Sequence, residues 1–285
     1  MKKFLTVLAG HPRGGESTWE SIYKNVLAPL SSDLAICTGS KWIENQSFLK
    51  EAKYKWIIEE PDNWFDYYED NFTGNWQNYF NLGKDTGLYN SGSIHFALKD
   101  IILKNYLKTL NEYENIIYTR FDQFFVDEHP FYKNDKILIP IGEDYFGICD
   151  RHALIPVQFI EKYLNICSYV DSPDSLENIP NHLNCEVSYQ NYLNFCNLEK
   201  HIYRHERAQF TAALKDDFTN WRIPKYKIYF FSGLMMKYPD EFISSIKNYK
   251  DKNGYFKIIK NLKIFFINYI YLETRRFFGK LKNTS

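Results

Sequence analysis

Short apolar runs separated by helical stretches constrain this chain more than any other feature. Phe4 to Ala9 is one such run, ending at Gly10. Asp33-Leu34-Ala35-Ile36-Cys37-Thr38-Gly39 is a second, and Lys55-Trp56-Ile57-Ile58-Glu59-Glu60, stopped by Pro61, is a third. Runs so brief and so apolar read as strands buried on both faces. After the first run, Ser17-Thr18-Trp19-Glu20-Ser21 offers an N-cap with an acid close behind, which predicts a helix from about Thr18 to Leu27 ending near Pro29. Strand, helix and strand in succession predict an α/β fold with a mixed, mostly parallel sheet flanked by helices. The amino-terminal run is too short for the apolar region of a signal peptide and leads into His-Pro-Arg-Gly-Gly, so it reads as the first strand.

Further along, residues 62–90 are aromatic and polar with little clean period, which suits a covering segment better than core sheet. Ser91 to Leu110 reads as a helix, because Ile94, Ala97, Leu98, Ile101, Ile102 and Leu107 recur at three- and four-residue steps. Tyr113 to Asp122 reads as a buried strand that runs into charge, and Lys136 to Pro140 as another strand. The spacing predicts an edge or hairpin element over Gly142–Cys149, a helix over about Ala153–Tyr169 and a shorter one over Cys185–Phe195. The division expected is a catalytic domain over residues 1–230 and a C-terminal helical, basic amphipathic extension over 231–285. In that extension, from Tyr255 to Lys282, seven bases stand against one acid, Glu273. The pattern suits either a helix lying on an anionic membrane surface or one docked on the domain with a solvated basic face.

Zero net charge gives no whole-protein field for nucleic acid. Five cysteines, far apart and without a C-x-x-C pair, fit reduced thiols in a cytosol. The expected location is therefore cytoplasmic, with peripheral contact at the inner face of the membrane through the tail. With 18% aromatic residues, the chain either follows a compositional bias toward Tyr, Phe, Asn, Ile and Lys or carries faces for sugar rings and bases.

Arg120-Phe121-Asp122, at the end of the strand that begins at Tyr113, is the strongest chemical signal. A carboxylate there can hold a divalent cation, and an Arg two residues earlier points to the same side. A structural salt bridge between the two is the competing reading. His11-Pro12-Arg13-Gly14-Gly15 follows the first strand and precedes a helix, where backbone amides can cradle phosphate. It lacks the P-loop G-K-[ST] and the G-x-G-x-x-G spacing. His201, Arg204, His205 and Arg207 form a basic cluster that can close over a diphosphate, with His205 able to complete a metal shell, or that can be surface charge.

Tyr-Glu-Asn-Ile-Ile-Tyr-Thr-Arg-Phe-Asp resembles the strand and R-x-D element of GT-A-type glycosyltransferases of bacterial and viral lipopolysaccharide and capsule synthesis, where R-x-D replaces D-x-D. Gly142-Glu143-Asp144-Tyr145-Phe146-Gly147-Ile148 and Cys185-Glu186-Val187-Ser188-Tyr189-Gln190-Asn191-Tyr192-Leu193 are similar to later segments, and the likeness covers about the first 210 residues. It implies a nucleoside diphosphate sugar donor, a glycan or lipid-linked acceptor, and Mn²⁺ or Mg²⁺ at Asp122. In that family the loop after the first strand contacts the nucleotide, which implies such contacts from His11, Arg13, Gly14 and Gly15, unless the two glycines simply form a turn; Arg120, with Arg204 and Arg207 of the basic cluster, completes the expected nucleotide-sugar set. Arg120 replaces one carboxylate of the metal pair, so a guanidinium can take over the neutralising role. An inverting transfer needs a base, for which Asp144 and Glu186 are the candidates. A non-catalytic carbohydrate- or membrane-binding protein on the same scaffold is the alternative.

Overall fold

A computed structural model gives the fold and describes residues 2–43, 47–131, 135–177, 179–214, 217, 228–229, 234–238, 241–242 and 245. The basic stretch from Tyr255 to Lys282 lies outside the described residues.

In chain order the elements begin with β1 (Lys2–Ala9) and α1 (Gly15–Ile22), which continues through a π turn (Tyr23–Leu27) into α2 (Ala28–Leu30). Then come β2 (Asp33–Gly39), α3 (Phe48–Glu51), β3 (Tyr54–Ile58), α4 (Trp64–Asn71), α5 (Trp76–Leu82) and α6 (Ser93–Leu110). The middle of the chain gives β4 (Tyr113–Arg120), β5 (Gln123–Phe125), β6 (Ile137–Pro140) and β7 (His152–Pro156). The rest comprises α7 (Val157–Leu164), α8 (Ile166–Asp171), α9 (Cys185–Phe195), β8 (Ile202–His205), β9 (Gln209–Leu214), β10 (Ile228–Tyr229) and β11 (Leu234–Met236).

The chain divides into two units. The first holds residues 1–11, 30–120 and 130–206. Its core is a seven-stranded, mostly parallel mixed sheet in the order β3-β2-β1-β4-β7-β6-β8. β1 pairs in parallel with β2 on one side and β4 on the other, with Leu5 opposite both Asp33 and Ile116. Phe4, Leu5, Val7 and Leu8 are all buried, as a strand covered on both faces requires. This unit is therefore an α/β fold of Rossmann-like kind, as the alternation of apolar runs predicts.

Much of the aromatic content packs this unit. Tyr68 of α4 lies 5.5 Å from Trp76 and 4.9 Å from Phe80 of α5 between ring centres, and Trp56 stacks on Tyr106 at 4.3 Å. Such pairs add about 0.5–1.5 kcal/mol each beyond the area they bury. Residues 62–90 thus build two helices on the sheet.

Two expectations are corrected. The helix predicted over Ala153–Tyr169 begins as β7, antiparallel to β4 with Ala153 opposite Tyr118, and becomes helical only after Pro156. His-Ala-Leu-Ile-Pro satisfies either period; pairing beside β4 buries all five residues, and the proline closes the strand. Gly142–Cys149, expected as an edge or hairpin, is an irregular loop, because Gly142, Glu143, Tyr145 and Phe146 all take positive φ.

The second unit holds residues 12–29, 121–129 and the described part of 207–285. Its small sheet runs β10-β11-β9-β5. Phe210, Ala212, Leu234, Met236 and Phe242 form its core. α1 and the π turn after it are tied to β5 by polar bonds: Phe125 N donates to Ser21 Oγ at 3.0 Å, and Asn25 Nδ2 to the Phe125 carbonyl at 3.0 Å. Among the described residues no helix is long and apolar enough to cross a membrane.

Candidate functional site

In the first unit the chain leaves β1 toward β2, and β4 lies on the other side of β1. Strand order reverses there, and in open α/β sheets the crevice beyond the carboxyl ends at such a point is where ligands bind. Register places Ala9 opposite both Cys37 and Arg120, so β1 and β4 end level and β2 runs on through Thr38 and Gly39. His11, just past β1, donates through Nε2 to Glu60 Oε1 at 3.1 Å and lies 4.5 Å from the Trp42 ring. Trp42 donates Nε1–H to the other Glu60 oxygen at 2.8 Å. Burial would lift the Glu60 carboxyl, but these two hydrogen bonds hold it below its ordinary value. The three residues thus fix one another, and Trp42 stays 39% exposed, enough to offer a ring face at this edge.

Behind the end of β4 lies a charged network. Arg120 Nη1 donates to His95 Nε2 at 3.2 Å. A guanidinium has no acceptor, so His95 receives this bond as a neutral imidazole. Burial, and then the charge of Arg120, hold its pKa well below the ordinary value. One turn further along α6, Lys99 is fully buried, and burial lowers its pKa. Its Nζ donates to the Asp150 carbonyl at 3.1 Å and sits 4.4 Å from the centre of the Tyr189 ring.

Arg151 is the hub. It lies 2.7 Å from Glu186, 3.5 Å from Glu143 and 3.7 Å from Asp150. Burial opposes its charge, yet the three carboxylates hold its pKa well above the ordinary value. Burial would also raise Asp150, but the charges of Arg151, Lys99 and Arg120 lower it. Glu186, at the start of α9, goes the other way. Burial pushes its carboxyl up to about 7 against the pull of Arg151, with Asp150 adding to the rise. Partners that differ in proton affinity within one cluster are the usual setting of acid–base chemistry.

Asp144 organises the loop before this hub. Its carboxylate accepts Gly142 N at 3.2 Å, Cys149 N at 3.0 Å and Arg204 Nη2 at 2.7 Å. The Asp144 carbonyl takes Gly147 N at 2.7 Å, the Glu186 carbonyl takes Ile148 N at 3.1 Å, and Asn184 Nδ2 donates to the Tyr145 carbonyl at 2.9 Å. Left-handed Glu143, Tyr145 and Phe146 cost roughly 1–2 kcal/mol each, and such strain persists only where the surroundings over-determine it.

Several expected ligand contacts are engaged with the chain itself. In the second unit, Arg13 Nη2 donates to Asp122 Oδ2 at 2.8 Å, and Asp122 is buried. Asp217 Oδ2 accepts Gly14 N at 2.8 Å and Leu214 N at 2.7 Å, so a carboxylate of this chain holds the amide expected to bind phosphate. A Cβ on Gly15 would meet Leu214. Arg207 pairs with Glu241 and stacks 4.4 Å from Phe210. In the first unit, His205 Nδ1 donates to the Glu206 carbonyl at 2.8 Å, and burial lowers its pKa. Among the described residues no group of three His, Cys, Asp or Glu is placed to share a metal ion. A guanidinium already balances Asp122, so the residues present do not fit a dication site there.

Of the residues expected at the site, the structure brings His11, Arg120 and Glu186 to the carboxyl side of the first unit's sheet, with Asp144 and Arg204 paired beside them. His95, Lys99, Asp150 and Arg151 escaped sequence reasoning. The available signal was His95 and Lys99 four residues apart within an apolar helix face, and Asp150-Arg151 directly before a buried run. Neither the protein-family models nor the curated proteins give a match to this chain.

Proposed function

We propose that the chain is a nucleotide-sugar-dependent glycosyltransferase on a GT-A-like scaffold, acting on a glycan or lipid-linked acceptor in surface polysaccharide synthesis. The observation that carries this reading is that an exposed Trp42 face, Arg120 at the end of β4 and a buried carboxylate of raised proton affinity, Glu186, all lie on the carboxyl side of the first unit's sheet. Trp42 and His11 supply a stacking surface for the base. Arg120 neutralises the diphosphate. The acceptor hydroxyl oxygen forms a bond to the anomeric carbon as that carbon's bond to the diphosphate oxygen breaks; the electron pair leaves with the nucleoside diphosphate, and the proton passes to Glu186. Asp144 is assigned to holding the loop, since its oxygens already take two amides and Arg204. Guanidinium charge takes the place of metal in this reading. Peripheral contact with an anionic membrane through the basic tail belongs to the same proposal.

The test is thermal-shift screening with UDP, GDP, CDP and dTDP, each with Mn²⁺ and with EDTA. One of them is expected to raise the melting temperature by a few degrees in both conditions, and Arg120→Ala to abolish the shift. No shift with any nucleotide removes the proposal; a shift that needs Mn²⁺ removes the guanidinium reading; binding without donor hydrolysis favours a non-catalytic binding protein.

A further inference from the structure

The side chain of Phe146 is 93% exposed, although the loop around it is among the most heavily tethered backbone in the first unit. Glu143, Tyr145 and Phe146 have φ of 54°, 43° and 73°. L residues avoid this region unless something holds them there. What holds them are the Asp144 contacts, the Asn184 bond to the Tyr145 carbonyl and Arg151 Nη1, which donates to the Glu143 carbonyl at 3.3 Å. Tyr145 turns inward, its ring 5.4 Å from the Arg151 guanidinium, and Phe146 turns outward. His182 meets the Phe146 ring at 5.9 Å and 79°, so these two rings are not stacked face to face. The chain therefore presents an aromatic ring to water from a tethered backbone whose next residues, Gly147 and Ile148, pack on Glu186.

We infer that Phe146 is a stacking platform for a pyranose ring of the acceptor, with His182 at its rim. This rests on the transferase reading and names the acceptor contact of the same site. A pyranose presents one face of C–H bonds, which suits the negative face of an isolated aromatic ring, and equatorial hydroxyls, which need polar partners around it. A lipid or an apolar protein surface calls instead for a contiguous apolar patch of several hundred Å². Within the loop the nearest neighbours of Phe146 in sequence are Asp144, the inward Tyr145 and Gly147.

The experiment is saturation-transfer NMR on the full chain with methyl β-D-glucopyranoside and methyl β-D-galactopyranoside, beside the nucleotide thermal shift. At least one glycoside is expected to show saturation concentrated on the C–H protons of one ring face. Phe146→Ala should lower it about 5-fold, while Phe146→Tyr keeps it. Because the side chain is exposed, the alanine variant should fold and retain the nucleotide shift. Equal saturation in wild type and alanine variant overturns the platform. So does its absence from the wild type, or a change in oligomeric mass in the alanine variant. A Phe146-dependent sugar signal without any nucleotide shift keeps the platform and discards the transferase.

Discussion

The two ends of the sheet in the first unit carry similar charges under opposite conditions. At the amino end, Asp33 pairs with Lys53 and lies 3.7 Å from Lys2, these three charged groups in contact with water, while Lys2 sits 5.1 Å from the centre of the buried Tyr113 ring. At the carboxyl end, Arg151, Glu186, Asp150 and Lys99 are withdrawn from it. Exposed pairs contribute little and screen easily, whereas withdrawn charges are tolerated only when fully partnered. One end behaves as solvated trim. The other retains an arrangement that folding alone would not favour, and that asymmetry points to where the chemistry belongs.

Three substitutions test this contrast. Arg151→Met should have the largest effect, because it strands Glu143, Asp150 and Glu186 together. A loss of about 3–5 kcal/mol in urea unfolding is expected, and a loss under about 1 kcal/mol would place the hub with the exposed pairs. Glu186→Gln should matter through pH. Folding raises this carboxyl from 4.5 to about 7, so it favours the protonated form. The corresponding stability is present below pH 4.5 and disappears as pH rises through about 7. Denaturation at pH 5 and pH 8 should show wild type losing ground to the glutamine variant, and parallel curves would deny the raised affinity. Asp33→Asn should have the smallest effect, below about 1 kcal/mol and shrinking further in 1 M salt.

The sheet was legible because its strands are short apolar runs that hardly admit another structure. β7 was misread where five residues fit both periods and only Pro156 distinguished them. Arg120 and Glu186 were legible because charge at the end of a strand or the start of a helix stands out against apolar neighbours. Lys99 was not, since a lone lysine in a helix ordinarily points to water, and its burial depends on Tyr118, Tyr189 and Asp150 arriving from distant sequence. Under the proposed function Asp144 holds the loop and Glu186 takes the proton. Flanking glycines marked a close backbone approach, and that approach is between the loop and α9.

Gly147 sets that approach. A Cβ there would fall inside the Glu186 carbonyl and the Val187 amide. Even alanine at position 147 would act as a wedge, prising the loop from the first turn of the helix while sparing every ionisable group and aromatic ring. Spacing and composition are separable at this one residue, so a methyl group there would reveal how finely the ring and the acid must be gauged to each other.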